Sequence, residues 1–130
     1  SPALYRLLLG ALRTLAASPS PLVVGGFLWK LLALEGVAPV LDTCVVCGAT
    51  DRLVAFDPLE GGVLCEADRR GHPVSPAALD LLRDVLGGRL AAALAAPESA
   101  ATAEVDALAV RAAEHHLERR LRSVGVLETS

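Results

Sequence analysis

The chain's three cysteines all fall between Asp42 and His72, in the pattern C-x2-C-x17-C-x2-D formed by Cys44, Cys47, Cys65 and Asp68. A zinc ribbon spaces two Cys-x-x-Cys turns by ~15–20 residues, and here only the last donor differs in type. A Cys-x-x-Cys turn aims both sulfurs at one centre, and a hairpin returns the chain so that a second turn faces the first. Four donors can then surround a tetrahedral zinc ion, for which a carboxylate oxygen is an acceptable ligand. Spacing favours Asp68 as the fourth donor. His72, seven residues beyond Cys65, is the rival and would need the chain to loop back past Arg69-Arg70-Gly71. Two other readings stand beside metal. Free cysteines can simply be buried apolar groups. A thioredoxin-like redox pair would sit at a helix N-terminus after a strand, whereas here a helix and a proline turn come first. Catalytic zinc has less support. Neither the His-x-Glu that accompanies deaminase cysteines nor a His-Glu-x-x-His metalloprotease motif is present. The expected metal is therefore structural zinc, standing in for a core that a small hairpin cannot build.

The other side chains that could do chemistry are cationic. At 100° per residue, Arg111, His115, Arg119 and Arg122 fall within about 80° of one another on one helix side, an arrangement able to meet phosphates. Glu118 lies in the same stripe, and an ordinary solvated face with a Glu118–Arg122 pair accounts for it equally. His116 and Arg120 project toward the apolar side and call for structural partners on another element. Arg6, Arg13, Lys30, Arg69 and Arg70 could extend a basic patch if their segments meet. Trp29 sits mid-helix and is expected in the core rather than stacked on a base, because a single-strand surface would need several aromatics.

These residues need elements to hold them. The chain has 130 residues, 53% of them hydrophobic, yet only two Phe, one Trp and one Tyr. Leu and Ala dominate and favour helix. The pattern predicts helices over residues 1–17, 22–35, 75–86, 89–95 and 102–123. The first carries Leu4, Leu7, Leu8, Leu12 and Leu15 at helical spacing. The last buries Val105, Ala109, Ala112, Ala113, Leu117 and Val124. Ser75-Pro76 is a helix start and Gly87-Gly88 a stop. Between Asp42 and His72, Gly48, Asp57-Pro58 and Gly61-Gly62 punctuate two short β-friendly runs, residues 53–56 and 63–64. The expected fold is mainly α: a small helical bundle with an inserted zinc-ribbon-like β-hairpin. It divides into helices over 1–41, a zinc-finger hairpin over 42–72, and the remaining helices of the same unit over 73–130. A net charge of −3 gives no global field for nucleic acid, so any such contact must be a local patch. No run of about 18 uncharged apolar residues suggests a membrane span. The absence of methionine, even at position 1, points to a processed product or a fragment.

The run FLWKLLALEGVAPVLDTCVVCG, Phe27 to Gly48, resembles the entry to the zinc finger of bacterial RecO, a family of DNA repair and recombination mediators. GGVLC at Gly61–Cys65 is similar to that family's second cysteine turn. VSPAALDLLRDVL at Val74–Leu86 is similar to its next helix, and HHLERRLRSVGVL at His115–Leu127 to its C-terminal helix. These stretches cover about half the chain in the right order. Zinc-binding members end the site with a fourth cysteine, where this sequence has Asp68. The family also begins with an OB-fold domain that this chain lacks. The resemblance implies the C-terminal helical and zinc-bearing part of a non-enzymatic protein of the RecFOR pathway. Such a protein would bind single- and double-stranded DNA, promote annealing, and engage RecR and the tail of the single-strand binding protein. It would be cytoplasmic and nucleoid-associated, with no membrane partner.

Two competing functions remain. One is a zinc-stabilised protein-interaction module with no DNA contact of its own, docking a tail in a groove lined by Leu22, Leu28, Leu31 and Leu82. The other is a thiol–disulfide enzyme, which requires a depressed thiolate pKa and turnover.

Overall fold

A computed structural model of the chain describes residues 22–95 and 97–123. The expected first helix, with Arg6 and Arg13, lies outside these residues, as do Val124 and Leu127. The described residues form α1 (Leu22–Leu34), β1 (Leu53–Asp57), β2 (Gly62–Cys65), β3 (His72–Pro73), α2 (Pro76–Leu86), α3 (Leu90–Ala95) and α4 (Ala100–Ser123). This is the mainly α bundle with an inserted hairpin that the sequence predicts.

Capping chemistry sets the helix limits. Ser75 Oγ accepts from the Ala78 N–H at 3.2 Å, and Pro76 occupies the first turn, where no amide donor is needed. The cap is itself held from α4. Glu104 accepts from the Ser75 N–H at 3.0 Å and from its hydroxyl at 2.6 Å. The start of α4 lies two residues before the expected Thr102, because Ser99 and Thr102 cap each other. The Ser99 N–H donates to Thr102 Oγ1 at 2.8 Å and the Thr102 N–H to Ser99 Oγ at 3.3 Å.

The core gathers Leu28, Trp29 and Leu32 of α1, Leu79, Leu82 and Val85 of α2, Ala93 of α3, and Val105, Leu108, Ala109, Ala113, Leu117 and Leu121 of α4. Trp29 is its largest member, at 1% exposure. Its Nε1–H donates to the Val105 carbonyl at 3.1 Å, and its ring meets that of Phe56 in β1 in a T-shaped contact, 5.8 Å between centroids. One side chain thus joins α1, α4 and the sheet. The base-stacking role for Trp29 is excluded by this burial.

The strands run β2-β1-β3, antiparallel throughout. Val63 and Leu64 are fully buried. The segment entering the hairpin is stitched to β2. The Val63 N–H donates to Val40 O and the Val45 N–H to Val63 O, each at 3.0 Å, and Val40 forms a parallel bridge with Gly62. This approach requires glycine, since a Cβ at residue 62 would lie 2.5 Å from Val40 O.

Two sequence expectations change. The sequence pattern does not predict β3, since a proline reads against strand. Its register pairs His72 with Phe56 and Pro73 with Ala55. Arg120 is exposed rather than turned into the core. α1 and α4 run alongside each other in the same direction, with Gly25 against Asp106 and Glu35 against His116. With 24 residues α4 is about 36 Å long and outruns the 13 residues of α1, and Arg120 lies about one turn beyond His116, which meets Glu35 at the end of that helix.

Candidate metal centre and cationic helix face

Local turns aim the four candidate donors at one point. The Cys44 N–H donates to Ala49 O at 2.8 Å and the Gly48 N–H to Cys44 O at 2.9 Å, with Gly48 in the left-handed region at φ 80°. Cys65 ends β2, and the Asp68 N–H turns back to Cys65 O at 3.2 Å. One ligand atom from each of Cys44, Cys47, Cys65 and Asp68 lies within 4.8 Å of the others. Asp68 Oδ2 is 3.5 Å from Cys44 Sγ and 3.4 Å from Cys65 Sγ, and the Cys47 and Cys65 sulfurs are 3.7 Å apart. Zinc–sulfur bonds of about 2.3 Å and zinc–oxygen bonds of about 2.0 Å in a tetrahedron require separations of about 3.8 Å between sulfurs and about 3.5 Å between sulfur and oxygen. The donors fit a metal of that size and type.

Their electrostatics agree with this fit. Burial opposes ionisation of Cys44, but the backbone amides of Cys47, Cys65 and Val46 outweigh it and lower the thiol to about 7. At Cys47 the backbone at Ala49 pulls the same way, yet Asp68, Cys65 and Cys44 together push the thiol up to about 12. Asp68 is held below its ordinary carboxylate value by the Cys47 and Cys65 thiols. The Cys47 proton leaves with difficulty beside the Asp68 carboxylate and the neighbouring sulfurs, and a divalent cation would favour the thiolate instead.

His72 is elsewhere. It pairs with Phe56 on the side of β1 away from β2 and lines a separate cleft with Asp57, Arg111, Glu114, His115 and Glu118.

Two arginines that sequence reasoning passed over or misread build the surroundings. Arg83, in the last turn of α2, donates from Nη2 to Leu41 O at 2.9 Å and pairs through Nε with Asp42 at 3.3 Å, fixing the approach to Cys44. Its place in the final turn before Gly87 was the available signal. Arg70 does not extend a free basic patch. It holds Asp57 at 3.1 Å and Glu60 at 2.6 Å, tying the post-metal turn to the hairpin tip.

Arg111, Arg119 and Arg122 are exposed along α4, and Arg122 meets Glu118 at 3.9 Å, the pairing expected from their spacing. His116 bonds Glu35, just past the end of α1, at 3.4 Å, which supplies the structural partner its inward position required. Leu28 and Leu82 are buried in the core, so the groove expected from Leu22, Leu28, Leu31 and Leu82 does not form. A cleft of about 220 Å³ opens instead beside the hairpin tip, lined by Val37, Pro39, Phe56, Leu59, His115 and Arg119 among others.

His115 lies between that cleft and the His72 cleft, and its Nε2 is buried with no hydrogen-bond partner among the described residues. Burial first, then the Arg119 and Arg122 charges, hold its imidazole below the ordinary 6.5, while Glu118 and Asp57 pull the other way. The unfolded chain therefore takes up this proton first. Stability is fully present above pH ~6.5 and falls as the pH drops through the lower folded value. Denaturant titrations between pH 7.5 and 5 are expected to show this loss, and His115→Gln to reduce it without changing the curve at the alkaline end.

No described helix is long and apolar enough to cross a membrane. The family model for the C-terminal region of recombination protein O matches residues 1–124. A DNA repair protein RecO from Frankia casuarinae is 37% identical over 129 residues, covering 96% of this chain and 53% of that protein. One from Bifidobacterium longum is 35% identical over 132 residues, covering 98% and 54%. Another, from Bifidobacterium longum subsp. infantis, is 36% identical over 129 residues, covering 96% and 52%. The chain spans about half the length of these curated relatives. No solved structure gives a significant match.

Proposed function

The chain belongs to the RecO C-terminal family of DNA repair proteins, and from that premise we propose that it is the helical, zinc-bearing part of a recombination mediator. In this reading it is not an enzyme. It contacts single- and double-stranded DNA and supports annealing of complementary strands. RecR and the tail of the single-strand binding protein are its protein partners, and its place is the cytoplasm, at the nucleoid. The family match across residues 1–124 carries the reading. Cys44, Cys47, Cys65 and Asp68 hold a structural zinc ion, and residues 42–72 act as the finger. Bound there, zinc would tie the Cys44–Cys47 turn to the end of β2. The protein's own residues position the donors, through the Gly48 turn, the Arg83 contacts and the Val45–Val63 bond.

Arg111, Arg119 and Arg122 are the DNA-contacting residues in this proposal. Phosphate contacts release counterions, so affinity falls steeply with salt, by a log–log slope of about 0.7 per contact on single strands and about 0.9 on duplex. Fluorescence anisotropy with a labelled oligonucleotide, at 50 to 200 mM salt, is the test. The triple alanine variant is expected to bind more weakly and to lose about 2 units of slope on single-stranded DNA. An unchanged slope removes these arginines from the interface.

A second reading, an interaction module without DNA contact, is favoured by one observation. Val37 and Leu59 stand exposed beside Arg119 at the cleft, apolar surface next to positive charge. Apolar docking there gives peptide binding with little salt dependence and no oligonucleotide signal.

A further inference from the structure

The three sulfurs are not equivalent. Cys44 and Cys65 are buried and Cys47 is exposed. Cys47 Sγ lies 3.7 Å from Cys65 Sγ, across 17 intervening residues, and Cys44 Sγ and Cys65 Sγ lie 3.5 and 3.4 Å from Asp68 Oδ2. The turn that carries both Cys44 and Cys47 is fixed to the strand that ends in Cys65, since the Val45 N–H is bonded to Val63 O at 3.0 Å.

We propose that the centre is a peroxide-reactive site in which Cys47 is oxidised first, Cys65 closes the disulfide, and the metal leaves in consequence. This rests on the reading of the four residues as a metal centre. A metal-bound cysteine is a thiolate, which is the nucleophilic form. Hydrogen peroxide arriving from solvent meets the exposed sulfur. The Cys47 thiolate attacks one peroxide oxygen, the O–O bond breaks, hydroxide departs, and Cys47 becomes a sulfenic acid. The Cys65 thiolate then attacks Cys47 Sγ and expels a second hydroxide as the S–S bond forms. Two thiolates have lost two electrons, peroxide has gained them, and the two hydroxides are protonated by the buffer. Only Cys44 and Asp68 remain as donors, too few for a tetrahedral site. The new bond spans the place the ion held, so the finger stays closed as the metal goes.

The purified, reduced, metal-loaded chain is treated with equimolar hydrogen peroxide. Released metal is followed with a chelating dye. Remaining thiols are capped with iodoacetamide, and the digest is read by mass spectrometry. Trypsin separates the peptide carrying Cys44 and Cys47 from the one carrying Cys65, because Arg52 lies between them. The expected result is one metal released per disulfide, a cross-link between the two peptides through Cys47 and Cys65, and a cap on Cys44. A Cys44–Cys47 disulfide overturns the proposal, as does metal retained after the Cys47–Cys65 bond has formed. Should the reduced chain carry no metal before treatment, the metal reading fails on that measurement alone. The mapped disulfide still decides the pairing, and it needs no variant to fold.

Discussion

Replacing Cys65 with serine is expected to abolish metal retention and to lower stability by about 3–5 kcal/mol, a fall in Tm of roughly 10–15 °C. Cys65 ends β2 and touches both Cys47 and Asp68, so its loss removes the donor that joins the two halves of the site. Structural zinc contributes roughly 10–16 kcal/mol of binding to isolated finger peptides, which are unfolded without it. Less is at stake here because the hairpin has other support. Val63 and Leu64 are fully buried, and Val40 and Val45 are bonded to the strand. Asp68→Ala keeps three thiolates and admits water as fourth ligand. Its metal affinity is expected to fall by at least the ~10–100-fold that follows loss of a mere supporting group around a metal. His72→Ala is expected to leave metal content unchanged. Elemental analysis of the purified variants checks all three. Metal loss in the His72 variant, with retention in the Asp68 variant, would mean that the carboxylate is not the ligand.

Trp29→Ala is expected to cost a further about 3–5 kcal/mol by an independent route. The indole is fully buried between two helices and Phe56, so truncation leaves a cavity that α1 and α4 cannot close without moving their shared contacts. It also deprives the Val105 carbonyl of its side-chain donor. Trp29→Phe retains much of the ring contact and loses the N–H, for about 1–2 kcal/mol. Urea denaturation measures both. Metal content per folded molecule is expected to be unchanged, which separates this core defect from loss of the ion. Oligonucleotide affinity per folded molecule is also expected to stay the same, because Trp29 has no surface to offer a base.

Much of this was legible in the residues because local rules and tertiary outcome coincide. Ser75-Pro76 starts α2 and Gly87 stops it, since caps act over one turn of chain. The interval from Cys44 to Asp68 is set by the length of one hairpin, and the four side chains do meet. What escaped depends on partners distant in sequence. β3 exists because β1 offers bonding groups to His72-Pro73, and nothing within that dipeptide announces it. Arg120 follows the helical period of α4 but lies beyond the end of α1, and no periodicity reports where a neighbouring helix stops. The groove expected from Leu28 and Leu82 failed for the opposite reason. Their apolar faces are consumed by the core, and helical spacing alone does not separate a packing stripe from a docking stripe. Arg70 fits a possible basic patch by sequence alone because its partners, Asp57 and Glu60, face it only once the hairpin has closed.

The single-residue bridge at Val40 has a bearing on solubility. An unpaired sheet margin is a template on which another chain can add a strand. Here β2 is flanked outside by a bridge one residue long, and β1 by a two-residue strand that ends in a proline without an amide hydrogen. Among the described residues both margins are short, which limits strand addition by a neighbouring molecule. Loss of the ion is therefore not expected to expose a long strand edge on which a second copy could build.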